Sequence, residues 1–281
     1  MQRFQGAADW RQMIASAPRF FFGFALILAS AGPAVAEGAA LCGGKPAAVR
    51  ITEVLDSASL KLADGRIIRL SQVIPPLPID GDKDAIARVK EVFAEIANGK
   101  DASLFLSSNA ADRYGRISAQ AILIDGKIWL EAEMLSRGLV RAYPSANDKC
   151  MKALLQYETK ARDAQVGFWK DAKFGVLDAG NIEALRAADG RFVVVEGTIR
   201  RVGEARGRVY LDFGQRFTED FTIVMPDIVR KSLAAQGSDP KSWRGRRVRV
   251  RGILFSWGGP AIEVNLAQAI ELLDQALPKS E

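Results

Sequence analysis

Histidine is absent from the 281 residues of this chain. Without imidazole there is no Ser-His triad, no Cys-His dyad and no histidine-bearing zinc site. Proton transfer would fall to Asp, Glu, Lys, Tyr or Arg. Cysteine is nearly absent too, with only Cys42 and Cys150. The N-terminal apolar core, Phe20 to Ala31, is shorter than the ~20 residues a membrane span needs, so no span is expected in the mature chain.

That apolar core has an export pattern. Arg19 precedes it, and Ala34-Val35-Ala36 follows as an A-x-A cleavage site. Residues 1–36 therefore read as a signal peptide, with mature protein beginning near Glu37 and Met13 an alternative start. An uncleaved anchor is the other reading, opposed by Gly32 and Pro33, which interrupt the run. Export implies a periplasmic or secreted protein. In an oxidising compartment Cys42 and Cys150 are expected to form one disulfide, with two buried free thiols as the alternative. A loop of roughly a hundred residues would be worth about 4.7 kcal/mol by chain entropy. The formal charge of +6 suits a polyanionic partner without requiring one.

Strand patterns begin with "AVRITEVLDSASLKLADGRIIRLSQVI", a three-strand meander with turns at Asp56-Ser57 and Asp64-Gly65. "DKDAIARVKEVFAEIANGK" places Ile86, Val89, Phe93 and Ile96 at helical spacing. Two more strands follow, then helices over "WLEAEMLSRG" and "KCMKALLQYETKARDAQVG". Five strands with a helix after the third are the skeleton of an OB-type barrel. After a polar stretch the same order recurs, with strands at "RFVVVEGTIRRV", "RVYLDFG" and "DFTIVMP", a helix at "DIVRKSLAAQG", then "RRVRVRGILFSW" and "PAIEVNLAQAIELL". The expected fold is mainly β with α (α+β): an OB-type five-stranded barrel with helices over 41–175, a linker over 176–189, and a second small OB-type barrel over 190–275. The two halves share element order but no repeated sequence.

Four segments carry a family likeness: "VLDSASLKLADGRIIRL", "DRYGRISAQAILIDG", "LEAEMLSRGLVRAYP" and "YETKARDAQVGFW". Through them, about residues 48 to 170 resemble the staphylococcal nuclease (thermonuclease) family of calcium-dependent phosphodiesterases. The resemblance implies phosphate-gripping arginines at Arg69 and Arg116, with Arg113 and Tyr114 in the same turn and Tyr143 near the nucleotide. It also implies three acidic positions, which here carry Ala58, Ile74 and Leu77. In the family the first two bind calcium and the third orients the attacking water. Alkyl groups do neither. Asp80, Asp82, Asp84 and Glu91 stand at calcium-loop spacing, but Ala85 replaces the central glycine, and the plainer reading is a helix start. Arg69 and Arg116 have a structural alternative, pairing with Asp56 or Asp112.

In the second half, Arg247, Arg249 and Arg251 alternate with Val248 and Val250, so one strand face carries three cations. Trp243, Phe255 and Trp257 flank them. Such a stripe suits single-stranded nucleic acid; a solvated strand face is the alternative. The functional expectation is an exported, catalytically degenerate nuclease-fold protein that binds nucleic acid or another polyanionic or protein partner. No metal site or cofactor is expected. Calcium enters only under the alternative of an active metal-dependent nuclease with a relocated carboxylate. A cell-envelope scaffold, or binder of an envelope protein, is the third reading.

Overall fold

A computed structural model describes residues 42–43, 45–216 and 218–273. The expected leader and the mature start near Glu37 lie outside the described residues.

The first half forms β1 (Pro46–Val54), β2 (Ser59–Leu62), β3 (Ile67–Leu70), β4 (Val73–Ile74), α1 (Lys83–Ala97), β5 (Asp101–Ala111), β6 (Arg116–Leu123), β7 (Ile128–Trp129), α2 (Leu130–Ser136), β8 (Arg141–Ala142) and α3 (Asp148–Asp163). The meander β1-β2-β3 is antiparallel, β5 and β6 continue it from β1, and a parallel β3–β6 pairing closes the ring. Closure removes the open edges that a five-stranded sheet would otherwise expose. Helix α1 forms where Asp82 accepts the Ala85 N–H as N-cap, and Ala85, Val89, Phe93 and Ala97 bury one face at four-residue steps. Of the acids at the calcium-loop spacing, Asp82 and Asp84 open this helix, Glu91 lies in its middle, and Asp80 accepts the Leu77 N–H in the turn before it. Ile51, Leu60, Ile68, Phe93, Leu104 and Trp129 fill the core. Cys42 and Cys150 are bonded, tying the segment before β1 to the first turn of α3.

The second half contains β9 (Val176–Asp178), α4 (Ile182–Ala187), β10 (Phe192–Thr198), β11 (Arg201–Ala205), β12 (Arg208–Asp212), β13 (Thr222–Pro226), α5 (Asp227–Ala235), β14 (Arg247–Trp257), β15 (Gly259–Glu263) and β16 (Ile270–Leu272). Strands β10 and β11, separated only by Ile199 and Arg200, act as one bent first strand. From it the ring runs through β12, β13, β15 and β14 back to β10, and the β13–β15 pair is parallel. This is the same closure as in the first barrel, with the parallel contact again between the third and fifth ring strands. Both barrels are therefore of OB type.

The stretch 176–189, read from its polarity as a linker, is built into the second barrel. Strand β9 pairs in parallel with β10, and Ala179 and Leu185 are buried in the second core. A few apolar residues do the packing there while the polar majority faces outward. Both barrels belong to one compact unit.

Candidate functional site

The turn Asp112–Arg116 joins β5 to β6. Gly115 supplies the left-handed residue it requires, with φ of 75°. Asp112 organises the rest. Its Oδ1 accepts the backbone N–H groups of Tyr114 at 2.9 Å and Arg116 at 3.0 Å. Its Oδ2 accepts Nε and Nη2 of Arg116, both at 2.9 Å. The main-chain N–H of Arg116 first, and then its guanidinium, hold the Asp112 carboxyl down at about 2. The guanidinium carbons of Arg113 and Arg116 each sit 4.9 Å from the centroid of the Tyr114 ring, which is 63% exposed.

Barrel closure brings Arg69 to this turn. On the parallel pair, Arg69 faces Ser118 and Ile67 faces Arg116. Arg69 and Arg116 are therefore diagonal neighbours on one sheet face, with backbone positions about 8 Å apart. It is the outer face, since Ile68, Leu70 and Ala119 on the other are buried in the core. Of the two carboxylates weighed as partners, Asp112 pairs with Arg116. Asp56 instead accepts the Ala58 N–H and closes its own turn. The guanidinium groups of Arg69 and Arg113 have no hydrogen bond or ion pair among the described residues. The result is an open cationic and aromatic patch able to hold a phosphate by charge-assisted hydrogen bonds.

One of the positions expected to be acidic, Ala58, lies close by. Ser59, next to Ala58, pairs with Arg69, and the Ala58 carbonyl accepts the Leu70 N–H. Ala58 and Ile74 are buried, and Leu77 is half-buried. Ca²⁺ takes six to eight oxygen ligands, and none of these side chains offers one. Among the described residues no group of three or more Cys, Asp or Glu side chains converges to hold a metal. The donor set does not match calcium.

Tyr143 is held elsewhere. Its N–H donates to the Gln72 carbonyl, and its ring leans on Phe192 of the second barrel, with centroids 5.6 Å apart.

The arginine stripe is corrected by the structure. Arg247, Arg249 and Arg251 do share one face of β14, but β10, α3 and β16 bring carboxylates against it. Arg247 and Arg249 both bind Glu196, at 3.0 and 2.6 Å. Arg251 is 1% exposed, and its Nη1 donates to both carboxylate oxygens of Glu158 at 2.9 Å and to the Ala142 carbonyl at 3.2 Å. Its Nη2 donates to Glu271 at 2.7 Å. Burial works against the Arg251 charge, but Glu158 and Glu271 outweigh it and hold the pKa above the usual guanidinium value. Arg251 thus joins the barrels, while Arg247 and Arg249 are paired within the second one and Arg247 stays 60% exposed. Trp243, expected to flank a binding surface, is buried in the second core, while Trp257 stacks on Tyr210 at 5.6 Å.

Two further arginines cross the joint. Arg191 binds Asp80 at 2.7 Å, and Arg141 donates to the carbonyls of Phe192 and Phe174 at 2.5 and 2.9 Å. Burial lowers the Arg141 pKa to about 10. Sequence reading missed Glu158, Glu196 and Glu271 as the stripe's partners. Glu158 stands in a charged helix segment, and nothing local separates a buried glutamate there from a solvated one.

In a comparison with known protein families, residues 84–171 match the family described as staphylococcal nuclease homologue. The matched range holds Arg113, Tyr114, Arg116 and Tyr143, whereas Ala58, Arg69, Ile74 and Leu77 precede it. No curated protein matches the chain.

Proposed function

We propose that this chain, which carries a staphylococcal-nuclease-like domain over residues 84–171, binds nucleic acid through its nuclease-like barrel without cleaving it. One observation carries the reading. Arg69, Arg113, Arg116 and Tyr114 form a cationic patch, and the positions expected to be acidic, Ala58, Ile74 and Leu77, supply no oxygen for a metal and no base for water. Holding a phosphate equally well in ground and transition states leaves hydrolysis unaccelerated. Single-stranded substrate is favoured because the exposed Tyr114 ring can stack on a base that is not already paired.

The Cys42–Cys150 bridge supports export to an oxidising compartment, periplasmic or extracellular. The alternative, an active phosphodiesterase with a relocated carboxylate, has one residue in its favour. Asp112 is ionised beside Arg116, but its two oxygens are already occupied by two N–H groups and that guanidinium.

The test is incubation of purified protein with single-stranded DNA and RNA, with and without Ca²⁺, scoring cleavage and binding together. Binding without calcium-stimulated cleavage, weakened by Arg116→Ala, is the expected result. Cleavage abolished by chelator and by Arg116→Ala would establish the alternative. No binding to either nucleic acid would leave the envelope-scaffold reading.

A further inference from the structure

Lys61 lies on the same outer face as Arg69 and Arg116, one strand further round the first barrel. On the antiparallel β2–β3 pair it stands opposite Ile67, as Arg116 does on the parallel β3–β6 pair. Lys61, Ile67 and Arg116 therefore form one row across three strands, about 10 Å from end to end. Arg69, two residues along β3, has its backbone about 8 Å from each end of the row. The row faces outward, because Leu60 and Leu62 of β2 and Ile68 and Leu70 of β3 are buried in the core. Ser118 stands opposite Arg69 on β6, two residues from Arg116. It is half-buried, and its hydroxyl has no hydrogen bond among the described residues.

Elsewhere on this barrel the surface arginines have partners. Arg50 is bound to Asp101, Arg66 to Asp64 and Arg137 to Glu133. Along this line the charged groups of Lys61, Arg69 and Arg113 have no ion pair or hydrogen bond among the described residues, and Lys61 is exposed. Glu53 faces Lys61 from β1 with no ion pair between them, and its charge marks where the cationic line ends. Like charges on neighbouring strands repel in the free protein, and an anion laid over them removes that cost. One phosphate between Arg69 and Arg116 leaves Lys61, at the far end of the row, for the next phosphate of an extended chain. Between them half-buried Ile67 offers an apolar surface to a sugar, and exposed Tyr114 offers its ring to a base.

We propose that Lys61 and the Ser118 hydroxyl extend the phosphate-binding patch into a line for successive phosphates of one single-stranded nucleic acid, running from Lys61 on β2 over Arg69 and Ser118 to Arg116 and the Tyr114 ring. The inference rests on the nucleic-acid reading and adds to it two binding residues and a path across the strands. Ser118 donates a hydrogen bond to the phosphate that Arg69 and Arg116 hold, and Lys61 neutralises the next one.

The test is a salt titration of the purified protein with an oligothymidylate of about eight nucleotides, set beside binding of thymidine monophosphate. Each cation that neutralises a phosphate of a single strand contributes about −0.7 to the salt slope, so Lys61 should deepen the slope of about −2 from the three arginines to about −2.8. Lys61→Gln should return it to about −2 and weaken oligomer binding by roughly eightfold at about 50 mM salt, with thymidine monophosphate binding unchanged. Ser118→Ala should weaken both ligands by about tenfold without changing the slope, and Ser118→Thr, which keeps the hydroxyl, should bind like wild type. Glu53→Gln should strengthen oligomer binding by up to about fivefold. Melting temperatures equal to wild type establish that the variants are folded. An unchanged slope in Lys61→Gln, or equal loss of both ligands, overturns the proposed line while salt-dependent wild-type binding upholds the nucleic-acid reading. Wild-type affinity in Ser118→Ala overturns the role of Ser118. No salt-dependent binding by the wild-type protein overturns both readings.

Discussion

Glu131 lies at the start of α2, fully buried. One carboxylate oxygen accepts the Ala121 N–H at 3.2 Å, and the other has no partner among the described residues. Its neighbours Ser71, Gln120 and Trp129 are uncharged. Burial raises its pKa from 4.5 to about 8. Between those two values the folded protein holds a proton that the unfolded chain has released. Stability contributed by this group is therefore fully present below pH 4.5 and lost as pH rises toward 8. One pKa unit is worth about 1.36 kcal/mol, so the cost at pH 7 is about 3 kcal/mol. Glu131→Gln keeps the shape of the protonated acid and cannot ionise in either state. It should stabilise the protein by about 3 kcal/mol at pH 7, a rise in melting temperature of roughly 10 °C, and by nothing near pH 4. Urea unfolding of both proteins at several pH values from 4 to 8, disulfide intact, measures the difference. Parallel stability curves for Glu131→Gln and wild type across that range would refute the reasoning, because they would mean that Glu131 ionises as easily folded as unfolded.

The nucleic-acid patch should show its cations in a salt titration. If Arg69, Arg113 and Arg116 each neutralise one phosphate of a single strand, the slope is about −2, a weakening of roughly 20-fold between about 50 and 200 mM salt; the triple glutamine variant should flatten it. Reducing the Cys42–Cys150 bridge frees a loop spanning 108 positions. It should lower unfolding stability by up to about 4.7 kcal/mol, read as a fall in melting temperature with reductant that Cys42→Ser/Cys150→Ser reproduces. Glu158→Ala leaves Arg251 buried without its main partner and should cost about 3–5 kcal/mol, while the paired change Glu158→Leu/Arg251→Met should recover much of that in chemical denaturation.

Much of the fold was legible because it rests on local rules. Alternation in β1 to β3, the helical period of α1 and Gly115 in its turn are each read within a few residues, although the buried face of α1 falls on Ala85, Val89, Phe93 and Ala97 and leaves Ile86 and Ile96 half-buried. The element order of the second half followed in the same way. The Asp112–Arg116 turn was legible too, since its hydrogen bonds are local. The burial state of Arg251 was not. On β14 the alternation placed it on the same face as Arg247 and Arg249, which is correct, but alternation does not say what covers a face. Glu158 is 93 residues away in sequence from Arg251 and meets it only because α3 packs over the second barrel. A strand pattern records which side of the sheet a residue takes, and the dielectric and partners on that side come from chain segments it does not contain. The same distinction separates Arg69 and Arg116, which parallel closure of the first barrel sets side by side on its outer face, from Arg251, which a neighbouring helix turns into a joint.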